Sequence, residues 1–228
     1  MKKKIVILGS TGFIGKSIIS ILKNDKENIE IKLLTANKNI KELINQTKIF
    51  KVKNIIILDK KKFKLANSLL KNKKISVFNN FDSLDKILDN KKIDYTMNAI
   101  SGLDGLKPTL KIIQYTKKIA IANKESIICG WPLITKQLKK YRTEFIPIDS
   151  EHFSIYSLIG DTKKNNIDEI YITASGGPFN KLAINKFKSI TRKDALNHPN
   201  WKMGKKITID SATMMNKVFE IIEANKIF

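Results

Sequence analysis

The sequence predicts an α/β protein: a doubly wound, mostly parallel sheet followed by a second, partial α/β domain. Three observations predict it. Short apolar runs alternate with helix-period segments along the chain, the pattern of repeated strand–helix–strand units. The strand-like runs are continuously apolar, as expected where helices cover both faces of a parallel sheet. A turn with three glycines in seven residues follows the first of these runs.

In chain order, strands are expected at Ile5–Leu8, Ile29–Leu34, Asn54–Leu58, Ile75–Phe78, Tyr95–Ile100, Ile119–Ala122, Glu144–Ile148, Ile170–Thr173 and Ile207–Ile209. Helices are expected between them at Gly15–Lys23, Ile40–Phe50, Phe63–Leu70, Leu84–Leu88, Gly105–Tyr115, Pro132–Tyr141, Phe153–Ile159, Phe187–Leu196 and Met214–Asn225. Apolar residues recur at helical spacing in the second set and in short unbroken runs in the first. The character of the motifs changes near Asp149. Residues 1–148 are read as a nucleotide-binding domain, residues 149–228 as a metal- and substrate-binding one.

Composition limits the function classes. A chain of 228 residues with 42% hydrophobic content can bury one large or two modest cores. No apolar run approaches the length of a bilayer span, so no membrane partner is expected. The run Ile5–Leu8 starts almost at Met1, which predicts a cytoplasmic protein without a signal peptide. The one cysteine, Cys129, excludes an internal disulfide framework; its apolar surroundings suggest a buried structural thiol. The formal charge of +22 suggests a nucleic-acid partner at first sight. Arginine, though, occurs only at Arg142 and Arg192, so 41 of 43 basic residues are lysine. Sequence-reading proteins favour the arginine fork. The lysines are spread along the chain without a known binding motif, so no nucleic-acid partner is expected. The field still favours anionic ligands.

The strand Ile5–Leu8 runs into Gly9-Ser10-Thr11-Gly12-Phe13-Ile14-Gly15 and then a helix. Such a turn lets the backbone approach a pyrophosphate, with free helix N–H groups beside it. The spacing is GxxGxxG rather than GxGxxG, and an ordinary tight turn would also fit it. The next strand ends in Thr35-Ala36-Asn37-Lys38-Asn39. No carboxylate stands there for a ribose 2′-hydroxyl, whereas Lys38 could meet a 2′-phosphate; NADPH is therefore expected over NADH. Lys38 also fits as one more surface lysine. The first domain is thus read as Rossmann-like.

Beyond it, Asp149-Ser150-Glu151 follows the strand Glu144–Ile148. If extended, Asp149 and Glu151 point to one side, and two carboxylates so close need a cation or proton between them. In the last helix, Asn216, Lys217 and Glu220 share a face, so Glu220 could be a third ligand. An all-oxygen set suits Mg²⁺ or Mn²⁺. The pair alone fits a solvated strand end as well. Two small-residue turns, Ala174-Ser175-Gly176-Gly177 and Asp210-Ser211-Ala212-Thr213, could hold a phosphate at a helix start, or be plain caps. His198-Pro199-Asn200-Trp201 reads as a loop whose tryptophan is either a lid or a packed anchor.

Taken together, GSTGFIG, ANKN, NAISG, IANKES, IDSEH, TASGGPF, HPNWKMGKKITIDSATMMNK and Glu220 resemble the 1-deoxy-D-xylulose-5-phosphate reductoisomerase family over essentially the whole chain. The run His198–Lys217 is the most specific part. The resemblance implies an NADPH- and Mg²⁺- or Mn²⁺-dependent enzyme of isoprenoid precursor synthesis. Its reaction rearranges the skeleton of 1-deoxy-D-xylulose 5-phosphate and then reduces it to 2-C-methyl-D-erythritol 4-phosphate. By the resemblance, Asp149, Glu151 and Glu220 hold the metal. Ser150, Ser175, His198, Ser211, Asn216 and Lys217 bind the substrate, and Lys124 reaches it from the nucleotide side. Thr11, Gly12, Phe13, Ile14, Asn37, Lys38, Asn39, Asn123, Glu125 and Gly204 contact NADPH. Trp201 and Met203 belong to a lid. Phe13 stands where the family often has serine. The family continues beyond Phe228 with more of the catalytic domain and a C-terminal helical domain. The catalytic domain is thus expected to be incomplete here, and a homodimer is expected of the full-length protein.

Three rival readings remain at this level. An extended short-chain nucleotide-sugar epimerase or reductase also starts with a TGFIG-like loop, but no tyrosine here has lysine four residues later. A semialdehyde-type dehydrogenase needs a cysteine nucleophile, for which Cys129 is the single candidate. A non-catalytic nucleotide-binding fragment is the third.

Overall fold

The computed structural model describes residues 2–89, 92–159 and 167–228. It divides into two compact units, Met1–Ile148 and Asp149–Phe228.

The first unit is built on seven parallel strands: β1 (Lys3–Leu8), β2 (Ile29–Ala36), β3 (Asn54–Ile57), β4 (Ser76–Phe78), β5 (Ile93–Asn98), β6 (Thr116–Ile121) and β7 (Glu144–Pro147). Their order is β4-β3-β2-β1-β5-β6-β7, so the winding reverses between β1 and β5. All seven strands read from this part of the sequence are present, within three residues at each end. Val6, Ile7, Leu8, Leu33, Leu34, Ile55, Ile56, Ile57 and Ile119 are fully buried. Each such side chain contributes about 1.5–3 kcal/mol of hydrophobic free energy, which explains why residues of both strand faces are apolar.

The helices of this unit are α1 (Phe13–Leu22), α2 (Ile40–Phe50), α3 (Lys60–Leu70), α4 (Leu84–Leu88), α5 (Leu106–Ile112) and α6 (Lys124–Tyr141). Asn39 caps α2 by accepting the Glu42 N–H at 3.2 Å, and Asp59 caps α3 by accepting the Lys62 N–H at 2.9 Å. The sequence places the sixth helix at Pro132, a residue suited to a helix start. The observed α6 begins eight residues earlier, because Asn123 accepts the Ser126 N–H at 3.0 Å and caps the helix there. Pro132 then lies inside. Cys129 is exposed rather than buried, since Ile127, Gly130 and Ile134 form the inward face of α6.

The second unit holds α7 (Ser150–Ile159), α8 (Arg192–Ala195), α9 (Lys205–Ala212) and α10 (Met215–Ile227). Four expectations are corrected here. Residues 170–173 form no strand: no neighbouring strand pairs with them among the described residues, so the backbone lacks a ladder. Ile207–Ile209 lies in α9, where Thr208 and Ala212, four apart, are the buried positions. That helical burial period overrides the β-branched composition. The expected helix Phe187–Leu196 is interrupted at Ile190, which is extended, and restarts after Thr191. Thr191 and Asp194 form a reciprocal capping box that fixes the new start. Asp149 and Glu151 do not continue an extended strand. The first bond of α7 runs from the Phe153 N–H to the Asp149 carbonyl at 2.7 Å.

No helix among the described residues is long and apolar enough to cross a membrane.

Candidate active site

In the first unit the candidate nucleotide residues stand on loops after β1, β2 and β6, at the carboxyl edge of the sheet beside its switch point. Gly9 has φ +75°, and a Cβ there would lie 2.8 Å from the Ala99 carbonyl oxygen. At Gly15 a Cβ would fall 2.4 Å from the Gly9 oxygen, so this glycine sets how closely α1 meets the loop. Gly12 is the N-cap of α1, Thr11 precedes it, and Phe13 and Ile14 open the helix with exposed side chains. Asn37, Lys38 and Asn39 are exposed in the turn between β2 and α2. Lys38 and Asn39 line a groove between α2 and α3 with Lys41, Lys48 and Lys62. Asn123 is buried at the start of α6, and Lys124 and Glu125 are its first two residues.

In the second unit, α7 and α10 bring three acids together. One oxygen each of Asp149, Glu151 and Glu220 lies within 4.8 Å of the others. Glu220 is 1% exposed. A carboxylate so buried is costly unless paired. The Lys217 Nζ lies 2.8 Å from Glu151 Oε1 and also bonds Glu220 Oε2. The Asn216 amide donates to Glu220 Oε1. Burial works against the charged form of Glu151, but hydrogen bonds from Lys217 and the Ser150 hydroxyl hold its pKa down at about 2. For Lys217, burial opposes charge, while its bonds to Glu151 and Glu220 raise the pKa above the usual lysine value.

Beneath the acids lies His152, fully buried. Its Nε2 is 2.9 Å from the Glu220 carbonyl, which can only accept, so Nε2 carries the proton and ties α7 to α10. Nδ1 then turns to Glu223 Oε2 at 3.2 Å and Asp149 Oδ1 at 3.6 Å. Burial disfavours the imidazolium, but Glu223, the Glu220 carbonyl and Asp149 outweigh it and raise the pKa. His152 and Glu223 carry no role in the sequence reading. The available signals were the position of His152 directly after Glu151 and the three-residue step from Glu220 to Glu223 on one helix.

A cavity of about 530 Å³ opens over the acids. Ser150, Ser175, His198, Ser211, Asn216 and Lys217 all border it, as do Trp201 and Met203. The Ser175 hydroxyl lies 3.3 Å from His198 Nε2. Gly176 and Gly177 have φ of +78° and +65°, which makes the turn after Ser175 dependent on glycine. Ser211 does not sit at a helix start as expected. It lies in the last turn of α9, where the Thr213 and Met214 N–H groups bond Ile209 and Ser211 carbonyls. Lys124 belongs to the first unit, the nucleotide side, and Gly204, the N-cap of α9, to the second.

Two family models match the chain. That of 1-deoxy-D-xylulose 5-phosphate reductoisomerase matches residues 5–130, and that of the same enzyme's C-terminal domain matches residues 145–228. The chain belongs to the 1-deoxy-D-xylulose 5-phosphate reductoisomerase family. A reductoisomerase of Pelagibacter ubique (strain HTCC1062) is 67% identical over 99% of this chain and 58% of its own length. That of Bacteroides fragilis (strain ATCC 25285) is 40% identical over the whole chain and 58% of its own. The chain thus spans 58% of these curated relatives. Among solved structures, the reductoisomerase of Zymomonas mobilis in complex with NADPH superposes with a TM-score of 0.87 at 34% identity, covering 99% of this chain and 58% of that one. A reductoisomerase in complex with NADPH, fosmidomycin and magnesium gives 0.89 at 32% identity, again covering 99% and 58%. The Rossmann-like α/β fold is therefore the reductoisomerase fold.

Proposed function

We propose that this chain is the NADPH- and metal-binding part of an enzyme that converts 1-deoxy-D-xylulose 5-phosphate to 2-C-methyl-D-erythritol 4-phosphate. The observation that carries the reading is the convergence of Asp149, Glu151 and Glu220 on one cavity. The donor set fits a hard cation: three carboxylates, no thiolate, and open space for substrate oxygens. Solved reductoisomerases in complex with magnesium, and others in complex with NADPH, support the same assignment. Magnesium or manganese held there supplies Lewis acidity to the substrate's carbonyl and neighbouring hydroxyl oxygens. NADPH supplies the hydride.

The rest falls to the chain itself. Thr11, Gly12, Phe13, Ile14, Asn37, Lys38, Asn39, Asn123, Glu125 and Gly204 bind the nucleotide. Residues 149–228 hold metal and substrate. Ser150, Ser175, Ser211, His198 and Asn216 contact the substrate's phosphate and hydroxyls, and Lys217 adds positive charge. Lys124 binds the substrate as well. Trp201 and Met203 exclude water above it, which keeps the cleaved fragments in register to rejoin. The full-length protein is read as a homodimer.

The test is NADPH oxidation with 1-deoxy-D-xylulose 5-phosphate, with and without a chelator, on a chain extended to the length of its relatives. Chelator-sensitive oxidation is expected. Oxidation indifferent to chelation overturns the metal assignment.

A further inference from the structure

Gln46 is fully buried on α2, and none of the nucleotide or metal assignments uses it. Its side-chain Nε2 donates to the Ser10 carbonyl of the glycine loop at 3.0 Å and to Glu42 Oε1 at 3.1 Å. The orientation of this amide is determined: reversed, its oxygen would face the Ser10 carbonyl and the Glu42 carboxylate, two acceptors. The orientation leaves Gln46 Oε1 buried without a hydrogen bond, a cost the fold accepts to reach the loop. Thr35 of β2 holds the start of the same loop. Its hydroxyl accepts the Gly9 N–H at 2.8 Å, and its carbonyl accepts the Ser10 N–H at 2.9 Å. The Gly12 N–H turns back to the Gly9 carbonyl at 3.1 Å. Among the described residues the Thr11 N–H has no protein acceptor.

We propose that Gln46 is a positioning residue for the nucleotide, acting through the Ser10–Thr11 peptide. In a trans peptide the carbonyl and the following N–H point in opposite directions. With the Ser10 carbonyl held toward α2, the Thr11 N–H is turned away from α2 and out of the loop, where a pyrophosphate oxygen can accept it. Through Gln46, the helix that starts just after Lys38 also sets the loop that meets the pyrophosphate. The inference rests on the nucleotide-binding reading and adds to it a residue that touches no ligand.

The test uses the 228-residue chain and its Gln46→Met variant, which keeps side-chain length and removes the donor. NADPH affinity is measured by fluorescence titration, and the bound cofactor by ³¹P NMR. For Gln46→Met, a five- to tenfold weaker affinity is expected, the worth of one oriented hydrogen bond. The pyrophosphate resonances should move while the 2′-phosphate resonance stays. Leu43→Ala, a buried change on the same helix that leaves the amide in place, controls for general loosening. It should leave the pyrophosphate resonances where they are. If Gln46→Met leaves affinity and spectrum unchanged, or if Leu43→Ala moves the same resonances, the positioning role is overturned. If the parent chain binds no NADPH, the nucleotide reading falls and the inference with it.

Discussion

At the scale of single residues, the centre of the second unit is a charge problem that Lys217 eases. Glu220 is buried, Glu151 half-buried, and Lys217 reaches both. Replacing Lys217 by methionine removes the cation and leaves the Glu220 carboxylate buried with like charges nearby. Losses of about 3–5 kcal/mol are typical when one partner of a buried pair is removed. Thermal unfolding in a chelator should therefore show a marked fall for Lys217→Met, partly restored by Mn²⁺; a fall that Mn²⁺ leaves untouched would remove the acids from the metal site. Glu220→Gln, in a chain of full family length, should lower turnover by orders of magnitude and leave NADPH affinity nearly unchanged. Near-normal turnover takes Glu220 out of the metal set. The three acids stood out in the sequence only as candidates; the resemblance to the family, not their spacing, marked them as a metal set. His152 and Glu223 did not stand out, since an imidazole between buried acids looks in sequence like any other polar residue.

At the scale of elements, close approach decides more than propensity. A methyl group at Gly15 would meet the Gly9 oxygen and the Ser10 backbone, at 2.4 and 2.6 Å, and α1 would have to move off the loop. Gly15→Ala should cost about 1–3 kcal/mol in denaturant unfolding and weaken NADPH binding as well; stability at the parent value would show that the loop gives way freely. A second device joins three adjacent strands. Asp94 of β5 accepts the Lys4 backbone N–H of β1 and the Lys117 ammonium of β6, each at 2.8 Å. The Lys117 hydrogen bond, then the Lys4 N–H, hold its carboxyl below the ordinary value of 3.8. A depressed carboxylate stabilises the fold above its unfolded pKa and loses that contribution as pH falls through the folded one. Acid unfolding below about pH 4 should therefore be shallower in Asp94→Asn than in the parent, and an identical profile would discount the clamp. Where elements were misread, caps, pairing and burial decided against local composition. Residues 170–173 and 207–209 look alike in composition, but one run lacks a ladder and the other lies on a helix with Thr208 and Ala212 inward.

At the scale of the whole molecule, the proposed function divides the chemistry between the two units. A polypeptide of residues 1–148 should bind NADPH within a few-fold of the 228-residue chain, because every proposed nucleotide residue except Gly204 lies in it. Fluorescence titration of the two decides this, and loss of binding in the shorter one would give residues 149–228 a part in holding the nucleotide. The charge of +22 belongs to this scale too. It acts as a field on anionic ligands, so NADPH affinity should fall several-fold between low and high salt.

The sequence by itself determined the parallel sheet, because unbroken apolar runs have few other ways to be buried, and it marked the glycine loop by spacing and the three acids through the family resemblance. It also carried enough of the family's long motif to identify it. Only the tertiary structure decided that Asp149 and Glu151 meet through the start of a helix, that His152 links α7 to α10 under the acids, and that Gln46 reaches the loop from 36 residues away. Local spacing reports which face a residue shares with its neighbours. Which buried polar group finds which partner across the fold is set by packing, and that information appears only once the chain has closed on itself.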